Sequence, residues 1–224
     1  MTTPTKPVTL AVLISGNGSN LQAIIDAIAN GNLPAEISIV ISNRTHAAGL
    51  ERARRAGIPT AVLTSQQFPN RQEYEQALQT YLDGYHPELI ILAGFMRVLG
   101  EDFVQHFRNQ ILNIHPSLLP KYPGLNTHQQ VITAQDRSHG TTVHVVTAQL
   151  DAGPIVAQAS TTVIPEDDVN SLAEKIHGLE HRIYPEIIRL YAEKRLKFLG
   201  NSVFLDGIKL PRQGLQLAFA EISS

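Results

Sequence analysis

The sequence predicts an α/β fold with a doubly wound, mostly parallel sheet and an antiparallel extension in the C-terminal half. In the first half of the 224 residues, short strands that are apolar on both faces alternate with helical segments. Strands without a polar face are typical of a parallel sheet that helices cover on both sides. The second half changes to β-rich segments joined by a turn, which predicts antiparallel strands that extend the same sheet.

The first two strand and helix pairs are predicted by hydrophobic pattern and by glycine. An apolar run at residues 8–15 ends in Gly-Asn-Gly-Ser-Asn, and large apolar residues then recur at helical spacing until Gly31. Residues 37–42, Ile-Ser-Ile-Val-Ile-Ser, are predicted as the second strand. A helix at residues 47–56 follows and stops at Gly57.

The third unit begins with a short β-like segment at residues 60–63. Asn70 followed by Glu73 has the form of an N-cap with a glutamate at the third helical position, which predicts an amphipathic helix that runs to about Gly84. Pro87 then interrupts the chain before a fourth apolar strand at residues 89–93.

The second half is predicted from a fifth strand, prolines and turn residues. A proline-rich loop follows that strand, and a turn of Asp-Ala-Gly-Pro joins two β-rich segments. Asp206-Gly207 predicts the turn of a terminal hairpin. The predicted elements are a strand at 111–114, a loop at 115–124, a short helix at 127–134, strands at 141–147 and 155–163, and a long amphipathic helix at about 169–195.

Composition favours a globular protein that acts on small molecules. Hydrophobic residues make up 43% of the chain and charged residues 17%, which is ordinary for a packed interior. The formal net charge is −2 and the basic residues are scattered, so we expect small-molecule substrates and neither nucleic acid nor membrane as a partner. The sequence leaves the oligomeric state open.

The chain has no cysteine, which excludes disulfides, thiolate metal ligands and thiol catalysis. Its first residues lack the apolar core of a signal peptide, and no apolar run approaches the ~20 residues that span a bilayer. We therefore expect a cytoplasmic protein. Residues 1–7 are expected to form a flexible N-terminal tail, residues 8–210 one domain, and residues 211–224 a C-terminal tail.

Ligands of open α/β sheets bind beyond the carboxyl ends of the strands, so the loops after Ser15, Ala93 and Ile114 are where we expect the chemistry. The loop of Gly-Asn-Gly-Ser-Asn lies between a strand and a helix, where free N–H groups and the helix dipole favour an anion such as phosphate. Leu21 replaces the third glycine of a dinucleotide fingerprint, and no Gly-Lys-Ser/Thr follows. The alternative is a tight turn in which Ser19 or Asn20 caps the helix.

Asn113 and His115 are the most informative pair of residues in the chain. Alternation along a strand places both side chains on one face, at the carboxyl end. An amide can donate a hydrogen bond to a developing oxyanion and an imidazole can move a proton, so the pair suits addition of a nucleophile to a carbonyl. The alternative is an asparagine that holds a loop and a histidine that is satisfied structurally. Asp151 is either a turn residue or the carboxylate that orients His115 and favours its protonated form.

Two further segments have both functional and structural interpretations. His177, Glu180 and His181 match the H-x-x-E-H pattern of some zinc peptidases, but the sequence identifies no third ligand, and solvated histidines are the alternative. The segment Ala-Gly-Phe-Met-Arg at residues 93–97 is either an ordinary strand end or a place where glycine lets a flat ligand approach the backbone.

Four stretches together resemble the phosphoribosylglycinamide formyltransferase family, and the resemblance covers about residues 8–210. Several such matches in the same order are far more specific than any one of them. The stretches are Leu-Ile-Ser-Gly-Asn-Gly-Ser-Asn-Leu-Gln at 13–22, Leu-Ala-Gly-Phe-Met-Arg at 92–97, Leu-Asn-Ile-His-Pro-Ser-Leu-Leu-Pro at 112–120 and Leu-Asp-Ala-Gly-Pro-Ile at 150–155.

The resemblance implies a Rossmann-like formyltransferase fold, a set of site residues and no metal. It replaces the zinc interpretation of Glu180 with contact to a ribonucleotide. The implied phosphate ligands are Gly18, Ser19 and Asn20; the implied folate contacts are Arg71, Met96, Arg97, Val98, Leu99 and Asn113, with His144 nearby; and the implied catalytic trio is Asn113, His115 and Asp151.

The same resemblance implies transfer of a formyl group from 10-formyltetrahydrofolate, as cosubstrate, to the amine of 5-phosphoribosylglycinamide in purine synthesis. The expected chemistry is direct attack by the amine, with Asn113 and protonated His115 stabilising the oxyanion and Asp151 assisting proton transfer. Methionyl-tRNA formyltransferases and formyltetrahydrofolate deformylases share parts of the pattern, but they carry an additional domain and are not expected to have this phosphate loop. Hydrolysis of the formyl donor and a nucleotide-binding module without catalysis are the alternatives.

Overall fold

The computed structural model describes residues 6–219, which form a central eight-stranded sheet and a separate three-stranded sheet. Residues 1–5, most of the expected N-terminal tail, lie outside the described residues. The first five strands along the chain are Val8–Ile14 (β1), Ala35–Ser42 (β2), Thr60–Val62 (β3), Leu89–Leu92 (β4) and Ile111–His115 (β5). They are parallel, and from one edge of the sheet they lie in the order β3-β2-β1-β4-β5.

Helices cover both faces of this sheet, as predicted. The helices are Ser19–Ala29 (α1), Ala48–Arg55 (α2), Arg71–Asp83 (α3), Glu101–His106 (α4), Thr127–Thr133 (α5) and Val169–Ala192 (α6). Alternate residues of β1 enter two different cores: Leu10 and Val12 pack with α1, α2 and α6, whereas Ala11 and Leu13 pack with α3 and α4. Because both faces are buried, the strand has no polar face, which explains its continuous apolar sequence.

The antiparallel extension is also confirmed. Strand β6, Ser138–Val145, runs antiparallel to β5 and to β7, Ile155–Thr162. A further edge strand, Leu215–Leu217 (which becomes β11 in chain order), pairs in parallel with β7. Residues 211–224 were expected to form a tail, but Leu215–Leu217 belongs to the sheet. Leu215 and Leu217 pack against the core, on either side of the exposed Gln216.

The small sheet consists of Leu196–Leu199 (β8), Ser202–Leu205 (β9) and Ile208–Lys209 (β10). Asp206 and Gly207 have φ of 50° and 83° and join β9 to β10, so the predicted terminal hairpin is confirmed. Helix α6, which precedes this sheet, ends at Ala192, three residues earlier than predicted, and β8 begins at Leu196. None of the helices between residues 6 and 219 is both long enough and apolar enough to cross a membrane.

The order of the parallel strands reverses between β1 and β4. The connection after β1 leads to β2 on one side, whereas β4 is followed by β5 on the other side. The loops at the carboxyl ends of β1 and β4 therefore diverge and leave a crevice, which is where ligands bind in open α/β sheets.

Candidate active site

The loop after β1 presents backbone N–H groups at the start of α1. Gly18 is the N-cap residue, with φ of 75°, and no side chain of the described residues caps this helix. The alternative in which Ser19 or Asn20 caps it is therefore wrong. A helix N-terminus whose N–H groups are uncapped is suited to an anion.

Close contact with α2 shapes this loop. The N–H of Gly49 donates to the carbonyl of Gly16 at 3.0 Å. A Cβ on Gly18 would lie 2.6 Å from Cα of Gly49, closer than real carbon contacts allow. Only glycine at position 18 permits both this approach and the positive φ.

Arg52 of α2 adds positive charge beside the same loop. Its Nε donates to the carbonyl of Asn17 at 2.9 Å, and its Nη2 donates to the side-chain oxygen of Asn17 at 3.0 Å. Arg52 was not predicted from the sequence, because nothing in the local pattern distinguishes it from the arginines that follow it on the same helix.

Glu180 of α6 reaches the loop after β1 from the other side. Its Oε2 accepts a hydrogen bond from Nδ2 of Asn20 at 2.8 Å, and its side chain is buried. Burial raises the pKa of Glu180, and the hydrogen bond from Asn20 offsets only part of that rise. Oδ1 of Asn20 has no hydrogen-bond partner among residues 6–219, so the pair retains an acceptor for a ligand. The structure thus brings two predicted site residues together.

His177 and His181 stack with ring centroids 6.3 Å apart, one turn apart on α6. In the described part of the chain, no three His, Asp or Glu side chains are grouped as a metal ion would need. The alternative zinc site therefore finds no third ligand within residues 6–219.

Asn113 and His115 lie on the same face of β5, as predicted from alternation. Nδ2 of Asn113 donates to Nε2 of His144, its cross-strand neighbour on β6, at 3.1 Å. Nε2 of His115 donates to the carbonyl of Tyr122 at 2.9 Å, and Nδ1 lies 3.5 Å from Oδ2 of Asp151. The expected trio is therefore clustered, with His144 beside it.

Asp151 is held in place by its turn. It has φ of 48°, its side chain is buried, and Oδ2 accepts a hydrogen bond from the N–H of Gly124 at 2.8 Å. Burial opposes ionisation of Asp151, but contacts with His144, the N–H of Gly124 and His115 together hold its pKa below the ordinary value. Asp151 is therefore a carboxylate at neutral pH.

The pKa of His115 is lowered, whereas the sequence analysis expected it to be raised. Burial is the largest cause, and the attraction of Asp151 and the hydrogen bond to Tyr122 raise the pKa by less. The expected direction of the Asp151 effect holds, but desolvation outweighs it. The ring of His115 is therefore uncharged at neutral pH.

The loop that follows β5 is fixed by buried polar side chains of the antiparallel strands. Thr142 donates to the carbonyl of Ser117 at 2.6 Å, and Gln158 donates to the carbonyl of Leu119 at 2.8 Å. Because this loop supplies the Tyr122 carbonyl and the Gly124 N–H, these contacts position His115 and Asp151. Spacing along the sequence gave no signal for them.

The segment after β4 presents apolar side chains to solvent. Met96 and Val98 are 57% and 53% exposed, whereas Leu99 packs in the core. The guanidinium of Arg97 lies 4.5 Å from the centre of the Tyr74 ring. Arg71 donates from Nη2 to the carbonyl of Val98 at 2.9 Å, so the predicted folate contacts are clustered.

Ser15 joins the loops on the two sides of the crevice. Its Oγ donates to Oδ1 of Asn43 at 2.6 Å and accepts a hydrogen bond from the N–H of Met96 at 2.7 Å. One buried hydroxyl therefore connects the carboxyl ends of β1, β2 and β4. The loop after β1, the cluster around His115 and the exposed segment after β4 all lie at this edge of the sheet.

Comparisons with known proteins show what the chain is similar to. Residues 8–188 match the model of the formyl transferase family. The phosphoribosylglycinamide formyltransferase of Escherichia coli (strain K12) is 48% identical over 205 residues, which are 92% of this chain and 97% of that protein. The protein of the same name from Haemophilus influenzae is also 48% identical over 205 residues, with the same coverage. The solved structure of the phosphoribosylglycinamide formyltransferase of Coxiella burnetii, in complex with CHES, has a TM-score of 0.91 and 51% identity, and covers 94% of this chain and 99% of that chain.

Proposed function

Because the chain belongs to the phosphoribosylglycinamide formyltransferase family, we propose that it transfers the formyl group of 10-formyltetrahydrofolate to the amine of 5-phosphoribosylglycinamide. The observation that carries this proposal is the clustering of Asn113, His115 and Asp151 beside an uncapped helix N-terminus at one edge of the sheet. That arrangement supports addition of an anchored, phosphorylated nucleophile to a carbonyl group.

The ribonucleotide binds with its phosphate at the N–H groups of Gly18, Ser19 and Asn20, where the dipole of α1 favours negative charge. Glu180 and the unpartnered oxygen of Asn20 supply acceptors for the hydroxyl groups of the ribose. Arg52 adds a positive charge beside the loop without leaving its contacts to Asn17.

The folate binds against the segment after β4. Met96 and Val98 cover the pteridine with exposed apolar side chains. Arg71 contacts the donor from α3. Asn113 and His144 lie where the formyl group must approach β5.

The amine nitrogen attacks the formyl carbon, and the electrons of the C=O bond move to oxygen. The amide of Asn113 donates a hydrogen bond to that oxyanion. His115, uncharged before attack, accepts a proton at Nδ1, since its Nε2 already donates to Tyr122. The carboxylate of Asp151 then stabilises the imidazolium.

Collapse of the intermediate breaks the bond between the formyl carbon and N10 of the folate. The proton taken from the amine is passed through water to N10, so no proton is gained or lost overall. The products are the formylated ribonucleotide and tetrahydrofolate. This chemistry uses positioning, hydrogen bonding and proton transfer, and it assigns no step to a metal.

The test is an assay of purified protein with both substrates, in which deformylation of the folate is followed and each component is omitted in turn. We expect turnover only when both substrates are present, and the same rate in the presence of a chelator. Formate release without the ribonucleotide would indicate a hydrolase. Ribonucleotide binding without turnover would indicate a binding module, and loss of activity with the chelator would revive the zinc interpretation.

A further inference from the structure

The carboxylate of Glu75, on α3, is a shared acceptor for two donors from different parts of the chain. Its Oε1 accepts hydrogen bonds from Nε of Arg71 at 2.7 Å and from the backbone N–H of Gly100 at 2.9 Å. The side chain of Glu75 is only 12% exposed. A partly buried carboxylate that accepts two such bonds is held in one geometry.

Arg71 extends this contact to a second point of the same segment. Its Nη2 donates to the carbonyl of Val98 at 2.9 Å. Glu75 and Arg71 therefore hold the backbone at Val98 and Gly100, on either side of Leu99. Residues 93–100 lie between β4 and α4 outside any regular element, so side-chain contacts have to fix their path.

Gly100 is fitted to this contact. A Cβ at that position would lie 2.3 Å from Oε2 of Glu75, so a larger residue would displace the carboxylate. The neighbouring residue of α3, Tyr74, lies under the guanidinium of Arg97. The first two turns of α3 thus support the segment at Arg97, Val98 and Gly100.

We propose that Glu75 is a positioning residue for the formyl-donor site, because it fixes both the Arg71 guanidinium and the backbone of residues 98–100. This inference rests on the proposed function. A helical Arg–Glu pair by itself contributes little, because solvent screens it. The bond from Gly100 distinguishes Glu75 from such a pair, since it joins α3 to a segment that follows β4.

The guanidinium of Arg71 has five N–H groups, and two of them are used in its contacts with Glu75 and Val98. Those two bonds set the direction in which the others point. Without Glu75, the side chain of Arg71 populates more rotamers. Each time the formyl donor binds, Arg71 must then be ordered again, at a cost in conformational entropy. The effect is therefore expected on binding of the donor and not on chemistry after both substrates are bound.

The experiment compares Glu75→Ala and Glu75→Gln with the parent. For Glu75→Ala we expect the KM for 10-formyltetrahydrofolate to rise roughly tenfold, as for loss of hydrogen bonds to a charged group. The KM for the ribonucleotide and the kcat should stay within about threefold of the parent. The donor KM of Glu75→Gln should lie between those of the parent and of Glu75→Ala, since the amide oxygen of glutamine can still accept a hydrogen bond from the N–H of Gly100.

The matched control is Glu186→Ala. Glu186 also pairs with an arginine, Arg189, on a helix, at 2.7 Å, but the pair lies on the later half of α6. Both KM values should be unchanged in this variant. An equal rise of the donor KM in Glu186→Ala would mean general loosening of the protein and would overturn the proposal.

Two readouts are independent of turnover. In Glu75→Ala, hydrogen exchange at the Gly100 amide should accelerate, and calorimetry should show roughly tenfold weaker binding of tetrahydrofolate. Unchanged tetrahydrofolate binding in this variant, or an equal rise of both KM values, would overturn the role of Glu75. Failure of the parent itself to bind tetrahydrofolate would instead overturn the proposed function.

Discussion

Asp151 contacts two imidazole rings and a backbone N–H, so its negative charge can be tested by an isosteric change. Asp151→Asn removes the attraction that raises the pKa of His115 and leaves the burial that lowers it. The pKa of His115 should therefore fall further, which NMR of labelled histidine can follow. Turnover should fall on the order of 10²-fold, because the imidazolium loses its counter-charge.

Binding is the control for this variant. Both ligands should bind within a few-fold of the parent, since the phosphate loop and the segment after β4 are untouched. A variant in which turnover and the His115 titration are both unchanged would show that the 3.5 Å approach of Asp151 to His115 has no part in the reaction.

Ser19 begins α1, so a charge placed there tests the anion loop. Ser19→Asp brings a carboxylate to the place where the phosphate is proposed to bind, and like charges repel. Ribonucleotide binding should weaken by roughly tenfold or more, while tetrahydrofolate binding changes little. Calorimetry with each ligand measures both. Ser19→Ala keeps the backbone N–H and should bind the ribonucleotide nearly as the parent does; equal losses for both ligands in Ser19→Asp would contradict the assignment.

At the scale of elements, the turn between β6 and β7 fixes the position of Asp151. A Cβ on Gly153 would lie 1.8 Å from the carbonyl oxygen of Val145, so Gly153→Ala must move one of the two strands. We expect a loss of roughly 2–3 kcal/mol of unfolding free energy, measured with urea, because the clash is with backbone. Activity should fall as well, since Asp151 shifts.

Ala152→Ser is the control for the turn. Ala152 is exposed, so the added hydroxyl meets solvent and both stability and activity should stay near the parent values. A stable and active Gly153→Ala would mean that the turn relaxes without moving Asp151, and that the position of the carboxylate does not depend on this glycine.

The parallel strands were predictable to within two residues, because continuous apolar runs mark strands with both faces buried. Three short elements were not predicted. The helix Glu101–His106 has only six residues, too few to establish a helical period, and the strands Leu196–Leu199 and Leu215–Leu217 have four and three. Shortness weakens a periodic signal, but it was not decisive alone, because the three residues of β3 were predicted.

The candidate site was predictable where one element determines the geometry. Alternation along β5 placed Asn113 and His115 on one face, and the glycine-rich loop marked the start of α1. Arg52 and Glu75 were missed because each acts through contacts between distant parts of the chain. The Tyr122 carbonyl, seven residues after His115, was missed because the path of a loop backbone leaves no pattern in the sequence. The pKa of His115 was misjudged because burial cannot be read from local sequence.

At the scale of the whole molecule, buried histidines make stability depend on pH. His139 and His128 are hydrogen-bonded at 2.9 Å, and both have a lowered pKa. Burial is the largest cause for both rings. Repulsion from His177 and His115 lowers the pKa of His128 further. For His139, repulsion from His128 and His115 adds to burial, and the attraction of Asp136 opposes it. For His139 the pKa falls from 6.5 to about 4.

A base whose folded pKa lies below its unfolded pKa binds more protons when unfolded. Its contribution to stability is therefore complete above pH 6.5 and is lost as the pH falls to about 4, a loss of about 3 kcal/mol for His139. We expect urea unfolding to show falling stability over this range. The fall should be shallower in His139→Gln, which cannot titrate; the same slope in parent and variant would contradict the assignment.

The contact between Gly18 and Gly49 has an evolutionary consequence. The backbone of α2 contacts the loop after β1 at Gly49, and neither Gly18 nor Gly49 has room for a side chain. In a library of random variants, glycine should therefore be retained at both positions together, even when the variants are selected for activity on a different substrate. Packing against α2, which is distant in sequence, thus limits which substitutions the loop after β1 can accept. New specificity must arise at the less crowded positions around the crevice.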